Sequence, residues 1–447
     1  MKMQLQAGVA RAVITPPIGV PMAGYAGRGP SDDLHDDLTA TALVLSDGQT
    51  EAAVVALDLL YLTADLVADV RSKAAEATGI PAGNVCLACS HTHYGPNTGR
   101  REPGDPGQQP AAAEAALDAY VACLGYAIAG AVRMAKGRLR PARLGHGAGT
   151  ADVGVNRRER RPDGSIWLGV NPSGPTDPQV GLVRIDAEDG QPIATLIGYA
   201  THGTTLASTC TAISADFPGV ARGIVERLVG GTALFLQGAC GDVNPRLRGQ
   251  DWDYVRRSGT VLGCEAARVL VSVSAEPAAV PLRVASRTIG LPALMPESAE
   301  AGRAEVARLE AEVERLRAQG ASPGSVWWAE HRLDAARRRL ESLETGVPLP
   351  DIRAELMAIA VGDVALITAP GEVFSEIGRA IKARSPFPRT LFVGYANGSI
   401  GYVPTRSAYA EGGYEVTHAA RVGPAAGEIL EREAVALLES VREGQEE

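Results

Sequence analysis

Histidine is scarce in this chain, with 7 copies in 447 residues, so the place of each one is informative. Aromatic residues make up only 4%, which removes base-stacking platforms and aromatic sugar-binding strips. The 43 basic residues are outnumbered by 52 acidic ones, the net charge is −9, and no block of one sign dominates. Phosphate backbones need a clustered basic face, so no nucleic acid partner is expected. Cysteine, at 6 copies, is too sparse for a disulfide scaffold of this size. Cys86 and Cys89 form a C-x-x-C, but the surrounding VCLAC reads as a buried strand in which cysteine acts as a small hydrophobe. No apolar span of about 18 residues is evident and the N-terminus lacks a long apolar stretch, so no stable membrane insertion is expected and a cytoplasmic location is the default.

Common catalytic fingerprints are missing too. GACGDVNP has no Walker A lysine, no G-x-G-x-x-G follows a strand, and neither G-x-S-x-G nor H-E-x-x-H occurs. Nucleotide-binding loops, serine hydrolases of the elbow type and the common helical zinc proteases are thereby disfavoured.

What is present is ordinary globular composition, 45% hydrophobic and 21% charged. The pattern predicts a mixed α/β (α+β) fold of stacked mixed β-sheets flanked by helices. The first 40 residues are loop-rich, with Gly and Pro repeated through ITPPIGVPMAGYAGRGPSDD. A β-hairpin turns at Asp47-Gly48, and a helix follows with Thr63 as its cap and Gly79 as its stop. Strands are expected at Val85–Cys89, around Arg143–Asn156, Ile166–Leu168 and Val180–Asp186, in IATLIGY, in TALFLQG and in VPLRVASRTIGL. Helices are expected near Ala111–Lys136, Val220–Leu228, Asp253–Ser272 and Pro424–Glu443. Residues 297–344, rich in Ala, Glu, Arg and Leu and broken by GASPGS, read as a helical hairpin inserted into one domain spanning 1–447.

Asp58, His91, His93, His202, Asp242 and Glu372 all fall at or just beyond the ends of expected strands, where a rigid scaffold can bring polar groups to one sheet edge. His and carboxylate are zinc-binding types, and a catalytic zinc commonly has three protein ligands and an open position. His91 and His93 can both face one ion, or one can ligate while the other moves protons. Asp58 and Asp242 can support a second ion or orient the histidines. Tyr395, Tyr402, Tyr409 and Tyr414 crowd the end of TLFVGYAN and the loop after it, and RRERR at Arg157–Arg161 reads as a charged turn or a substrate clamp.

These motifs together resemble the neutral/alkaline non-lysosomal ceramidase family, in its amidase domain. SHTHYGP is similar to SHTHSGP, YATHGTT to the second histidine segment, GACGDVNP to N-x-G-D-V-S-P-N, APGE to LPGE, and GYVPTRSAYAEGGYE to Y-x-T-T-x-x-x-Y-x-x-x-x-Y-E. The resemblance implies a Zn2+ site made by His91, His202, Glu372 and Tyr402, with His93 transferring protons and Arg157 and Tyr414 in the active site. Two departures stand out. Asn244 occupies the place of a serine that the family needs, and asparagine cannot attack as a hydroxyl, which leaves metal-activated water as nucleophile. Full-length members of the family it resembles carry a C-terminal immunoglobulin-like domain and usually a secretion signal, and neither is expected in this chain.

The expected activity is therefore zinc-dependent hydrolysis of an amide C–N bond in a small, soluble or modestly apolar molecule rather than long-chain ceramide. Asn244, Arg157 or Tyr414 would stabilise the oxyanion. Ester or cyclic-amide hydrolysis, or lyase chemistry, is the alternative on the same fold. A non-catalytic assembly protein using the hairpin is a third reading, and a homo-oligomer is possible.

Overall fold

The computed structural model describes residues 4–99, 110–277 and 280–446, so the ends of the expected 1–447 span lie outside the described residues. The fold is mixed α+β. Its larger sheet runs in the order Thr232–Gln237, Pro192–Tyr199, Gln179–Ala187, Arg140–Thr150, Gln6–Val13, Thr39–Ser46, Glu51–Leu57, Val85–Cys89, with Glu276–Pro277 paired on Arg140–Thr150. A second sheet is ordered Leu282–Leu291, Ile352–Val361, Val364–Thr368, Arg389–Val393.

Strands Thr39–Ser46, Glu51–Leu57, Val85–Cys89, Thr232–Gln237 and Val364–Thr368 are buried on both faces because both faces are covered. Val54, Cys86, Leu196 and Leu236 of the larger sheet share a core with Ile359, Leu366, Leu391 and Val393 of the smaller one. On the outer face, Val55, Leu57 and Leu87 meet Val70 of helix Ala64–Thr78 and Ile128 and Val132 of helix Ala111–Lys136. Helices Asp216–Leu228 and Trp252–Leu270 cover the other half through Phe217, Val225 and Leu262. Helices Ser375–Arg384 and Ala426–Glu446 cover the smaller sheet through Ile377, Ile381, Leu430 and Leu438. Two sheets thus stack between outer helical layers.

Among the described residues, three strand pairs in these sheets are parallel: Glu51–Leu57 with Val85–Cys89, Pro192–Tyr199 with Thr232–Gln237, and Val364–Thr368 with Arg389–Val393. Each pair is spanned by a crossover helix, respectively Ala64–Thr78, Asp216–Leu228 and Ser375–Arg384. Ligand sites in parallel sheets lie beyond the carboxyl ends of the strands. Here those ends lead into Ser90-His91-Thr92-His93, Ala200-Thr201-His202, Asp242-Val243-Asn244, Glu372 and Tyr395. The first two parallel pairs occupy opposite ends of the larger sheet, yet the sheet curls until they meet. Gln237 Nε2 donates to Ser90 O at 3.0 Å, and Thr92 is bridged to Gly203.

Several sequence expectations need correction. Gln6–Val13, within the stretch read as loop-rich, is a central strand pairing Thr39–Ser46 over its full length. Its alanines and Gly8 fit between layers but make no apolar run. RRERR is not a turn: Arg157, Arg158 and Glu159 extend the strand Gly154–Arg160. One helix among the described residues, Ala111–Lys136, is long and apolar enough by composition to cross a membrane, contrary to the expectation of none. Its Leu124, Ile128 and Val132 lie in the core against the larger sheet. Cys86 and Cys89 are free and buried in the Val85–Cys89 strand, and burial raises the Cys86 thiol to about 12.

The inserted hairpin consists of helices Ala299–Ala318 and Pro323–Thr345 with its own small core of Leu309, Val313, Ala329, Leu333 and Ala336. Ser298 and Ser322 cap the two helices through their hydroxyls, and Pro323 opens the second.

Candidate metal centre

His91 follows directly on the turn out of Val85–Cys89 and holds a left-handed φ of 61°. Its N–H donates to Leu59 O at 3.0 Å, and its Nδ1 lies 2.9 Å from Leu60 O. A backbone carbonyl at Nδ1 fixes the proton there and leaves Nε2 as the electron-pair donor. His202 is held the same way, with Nδ1 2.7 Å from Cys240 O. Tyr395, itself at φ 54°, stacks on the His91 ring with centroids 3.9 Å apart, so two strained residues support each other.

His91, His93 and His202 bring one nitrogen each within 4.8 Å of one another. Glu372 Oε2 lies 3.2 Å from His202 Nε2 and 3.5 Å from His91 Nε2. His93 Nε2 is 3.3 Å from His91 Nε2, while its Nδ1 is buried without a hydrogen-bond partner. The His93 ring is wedged between Tyr25, at 4.9 Å between centroids, and Gly24. Gly24 has φ +99°, and a Cβ there would sit 2.4 Å from His93 Nδ1. The loop therefore comes close to the imidazole only because this residue is glycine.

A second group of residues braces the first. Arg157 N donates to Asp242 O at 2.8 Å, and its guanidinium reaches Tyr402 Oη at 2.9 Å, His202 Nε2 at 3.3 Å and Asn244 Oδ1 at 3.4 Å. Its Nε donates to Glu415 Oε1 at 2.7 Å, and Arg158 Nη1 donates to Glu415 Oε2 at 2.9 Å. Thr204 Oγ1 donates to Asn244 Oδ1 at 3.3 Å, so the amide oxygen is engaged and the NH2 end is the donor. Asp242 accepts from Ser375 N at 2.7 Å, Ser375 Oγ at 3.0 Å and Asn156 Nδ2 at 3.0 Å.

The sequence profile described as neutral/alkaline non-lysosomal ceramidase, N-terminal, matches residues 5–269. The chain belongs to this ceramidase family. Its fold is similar to that of neutral ceramidase from Pseudomonas aeruginosa, at 20% identity and TM-score 0.73, covering 99% of this chain and 75% of that one. A second similar structure is a ceramidase complexed with C2, at 19% identity and TM-score 0.73, covering 99% of this chain and 76% of that one. No curated protein matches the chain. Family and fold imply a hydrolase acting on amides, and neutral ceramidases are metal-dependent.

In this ceramidase-family site the charge states suit a metal. Burial, with Arg157 nearby, lowers His202 to about 4, keeping it neutral. Burial and then the neighbouring histidines hold His93 well below the usual imidazole value. For Glu372 burial acts upward, but His91 and His202 outweigh it and hold the carboxyl well below its ordinary range. Neutral imidazoles beside a carboxylate are the forms that bind a cation. Burial raises the Tyr402 phenol well above its usual value, with Arg157 opposing.

A cavity of about 130 Å³ opens over the group, lined by His91, His93, Glu372, Tyr395, Tyr402 and Tyr414 among others. His202, Arg157 and Asn244 do not line it; they join it through the hydrogen bonds above. All eight residues expected from the sequence thus fall in one region, with Tyr414 packed edge-on to Tyr402 at 6.0 Å. Asp58 stands apart, accepting from Thr39 N and Oγ1 at 2.9 and 2.8 Å and from Arg222 at 2.7 Å. Asp242 is bonded to Ser375 and Asn156, and among the described residues the group of metal-binding types is His91, His93 and His202, without either aspartate. Sequence reasoning missed Glu415 and the stacking role of Tyr395. The Y-E pair at Tyr414-Glu415 was the available signal for the first, while Tyr395 carried none beyond its place in a Tyr-rich loop.

Proposed function

We propose that this ceramidase-family chain is a zinc-dependent amidohydrolase acting on a small, soluble or modestly apolar amide. The observation that carries the reading is the convergence of three imidazole nitrogens and the Glu372 carboxylate, with His91, His93 and Glu372 lining a 130 Å³ cavity. Nitrogen and carboxylate donors suit zinc. His91, His202, Glu372 and Tyr402 would hold the ion. Zinc supplies, when bound, activation of water near neutral pH and polarisation of a carbonyl.

The chain's own groups do the rest. His93, neutral and half-buried beside His91, accepts the proton of the attacking water and returns it to the nitrogen as the C–N bond breaks. The NH2 group of Asn244 and the Tyr414 phenol are the donors for the developing oxyanion. Arg157 serves as a positioning residue, because its donors are engaged with Tyr402, Asn244 and Glu415. With Asn244 where a serine would stand, no covalent acyl step is drawn.

Cavity size supports a small substrate. A cavity of about 150 Å³ accommodates benzene, and sites for drug-sized ligands run to roughly 300–1,000 Å³. A panel of short N-acyl amides, matched esters, cyclic amides and N-palmitoyl sphingosine, incubated with the zinc-supplemented protein, tests this. Amine release from the short linear amides is expected. Turnover confined to esters, or an unsaturated product, contradicts the proposal.

A further inference from the structure

Among the described residues, four tyrosines line the cavity over the histidines, and their phenols are not alike. Tyr402 Oη accepts from Arg157 Nη2 at 2.9 Å, and Tyr395 Oη lies 3.1 Å from Cys240 Sγ, so both are engaged with the protein. The phenols of Tyr61 and Tyr414 have no hydrogen-bond partner among the described residues. The proposed mechanism uses Tyr414 and leaves Tyr61 idle.

Tyr61 reaches the cavity from the larger sheet, as the fourth residue after Glu51–Leu57, whereas Tyr402 and Tyr414 follow the last strand of the smaller sheet. It is half-buried and its place is fixed at both ends. Leu60 O, in the residue before it, accepts from His91 Nδ1 at 2.9 Å, and Thr98 Oγ1 donates to Tyr61 O at 2.8 Å. The phenol therefore shares its backbone anchor with a histidine of the metal group. At the tip of the ring lies Gly99, where a built Cβ would collide with Tyr61 Oη and stand 3.3 Å from Cζ. Burial, and then Glu372, raise this phenol above its ordinary value, so it keeps its proton and is a donor.

An amide seated here offers such a donor one acceptor. Its nitrogen lone pair is delocalised into the carbonyl, so the carbonyl oxygen alone accepts. The cavity, at about 130 Å³, is smaller than the roughly 150 Å³ that encloses a benzene, so a seated amide has both free phenols as neighbours.

Resting on the amidohydrolase reading, we propose that Tyr61 is a further catalytic residue, whose phenol donates to the substrate's carbonyl oxygen from the larger-sheet side of the cavity. Tyr414 donates to the same oxygen from the smaller-sheet side. The phenolic proton stays on Tyr61 throughout, and the hydrogen bond strengthens as negative charge develops on the carbonyl oxygen. Gly99 is a positioning residue, because any side chain there displaces the phenol.

Wild type, Tyr61→Phe, Gly99→Ala and the double variant, all zinc-supplemented, are compared on short N-acyl amides by steady-state kinetics. Calorimetry measures their binding of the matching phosphinate, an analogue of the tetrahedral adduct, with the fold checked by circular dichroism. Tyr61→Phe keeps the ring and removes one oxygen atom. Its kcat should fall roughly 10²-fold with KM little changed, and its phosphinate affinity should fall with kcat. Gly99→Ala should lower kcat in the wild-type background and add little in the Tyr61→Phe background, where the colliding oxygen is gone. An unchanged kcat in Tyr61→Phe, a loss confined to KM, or an equal Gly99→Ala loss in both backgrounds overturns the proposal. Phosphinate binding that Tyr61→Phe weakens, in a wild type that cleaves no amide, sinks the amidohydrolase reading and leaves the donor standing. Amide cleavage that Tyr61→Phe leaves intact does the reverse. Neither cleavage nor binding by wild type overturns both.

Discussion

Glu415 shows how much of this site depends on single buried charges. It is wholly buried, accepts from Arg157 and Arg158, and so lets two adjacent arginines sit inside a strand. Removing one partner of such a pair strands the others, at a cost of about 3–5 kcal/mol. Burial alone would raise the Glu415 carboxyl, but Arg157 and Arg158 hold it below its usual range. Its stabilisation is then complete above the unfolded value of about 4.3 and is lost as pH falls through the lower native value. Glu415→Gln should therefore be less stable than wild type by a constant amount between about pH 6 and 8. Chemical denaturation across pH should find the difference narrowing below about pH 4, and a difference that widens there counts against the pairing. On the proposed mechanism, replacing Asn244 by alanine removes an oxyanion donor, and kcat should fall roughly 10²-fold with little change in KM. An unchanged kcat would remove Asn244 from the reaction.

At the scale of elements, the loop before the first hairpin fixes the place of His93 through close approach. Any side chain at Gly24 meets the His93 ring and faces an unfavourable φ of +99°. Gly24→Ala should lower kcat by about 10–100-fold through displacement of His93, since misplacement of about 1 Å is worth that much. Kinetics alongside circular dichroism checks it: full activity refutes the wedge. Elements of this kind were partly legible in the sequence. The doubly buried runs AAVVAL, VCLAC and TALFLQ, the Thr63 and Gly79 stops, and the Asp47-Gly48 turn announce themselves through local chemistry. Gln6–Val13 was hidden because its small residues and Arg11 make no apolar run. Arg11 turns its charge outward to Glu226 and Thr41, which only long-range packing reveals. Glu415 was illegible as a partner because the arginines it meets lie 258 and 257 residues away.

For the whole molecule, the decisive event is the curl of the larger sheet, which brings two distant parallel strand pairs together and places His91 beside His202. The histidine positions were readable from strand ends, whereas their meeting depends on the register of a whole sheet and on Gln237 reaching Ser90. A metal bound at this junction ties both ends of the sheet to the Glu372 segment that follows Val364–Thr368. Because an ion that binds only the folded chain stabilises by about 2.7 kcal/mol at a hundred times its Kd, chelation should lower Tm by several degrees. Zinc added back should restore it in a thermal melt, and a Tm indifferent to both treatments would separate the metal from the fold.

Elemental analysis of the purified wild type, His91→Ala and His202→Ala proteins, read beside their amide hydrolysis, tests the central claim most directly. The account predicts zinc bound to wild type, and loss of both zinc and activity in each variant without unfolding. Full activity in either variant, or in metal-free wild type, would contradict it.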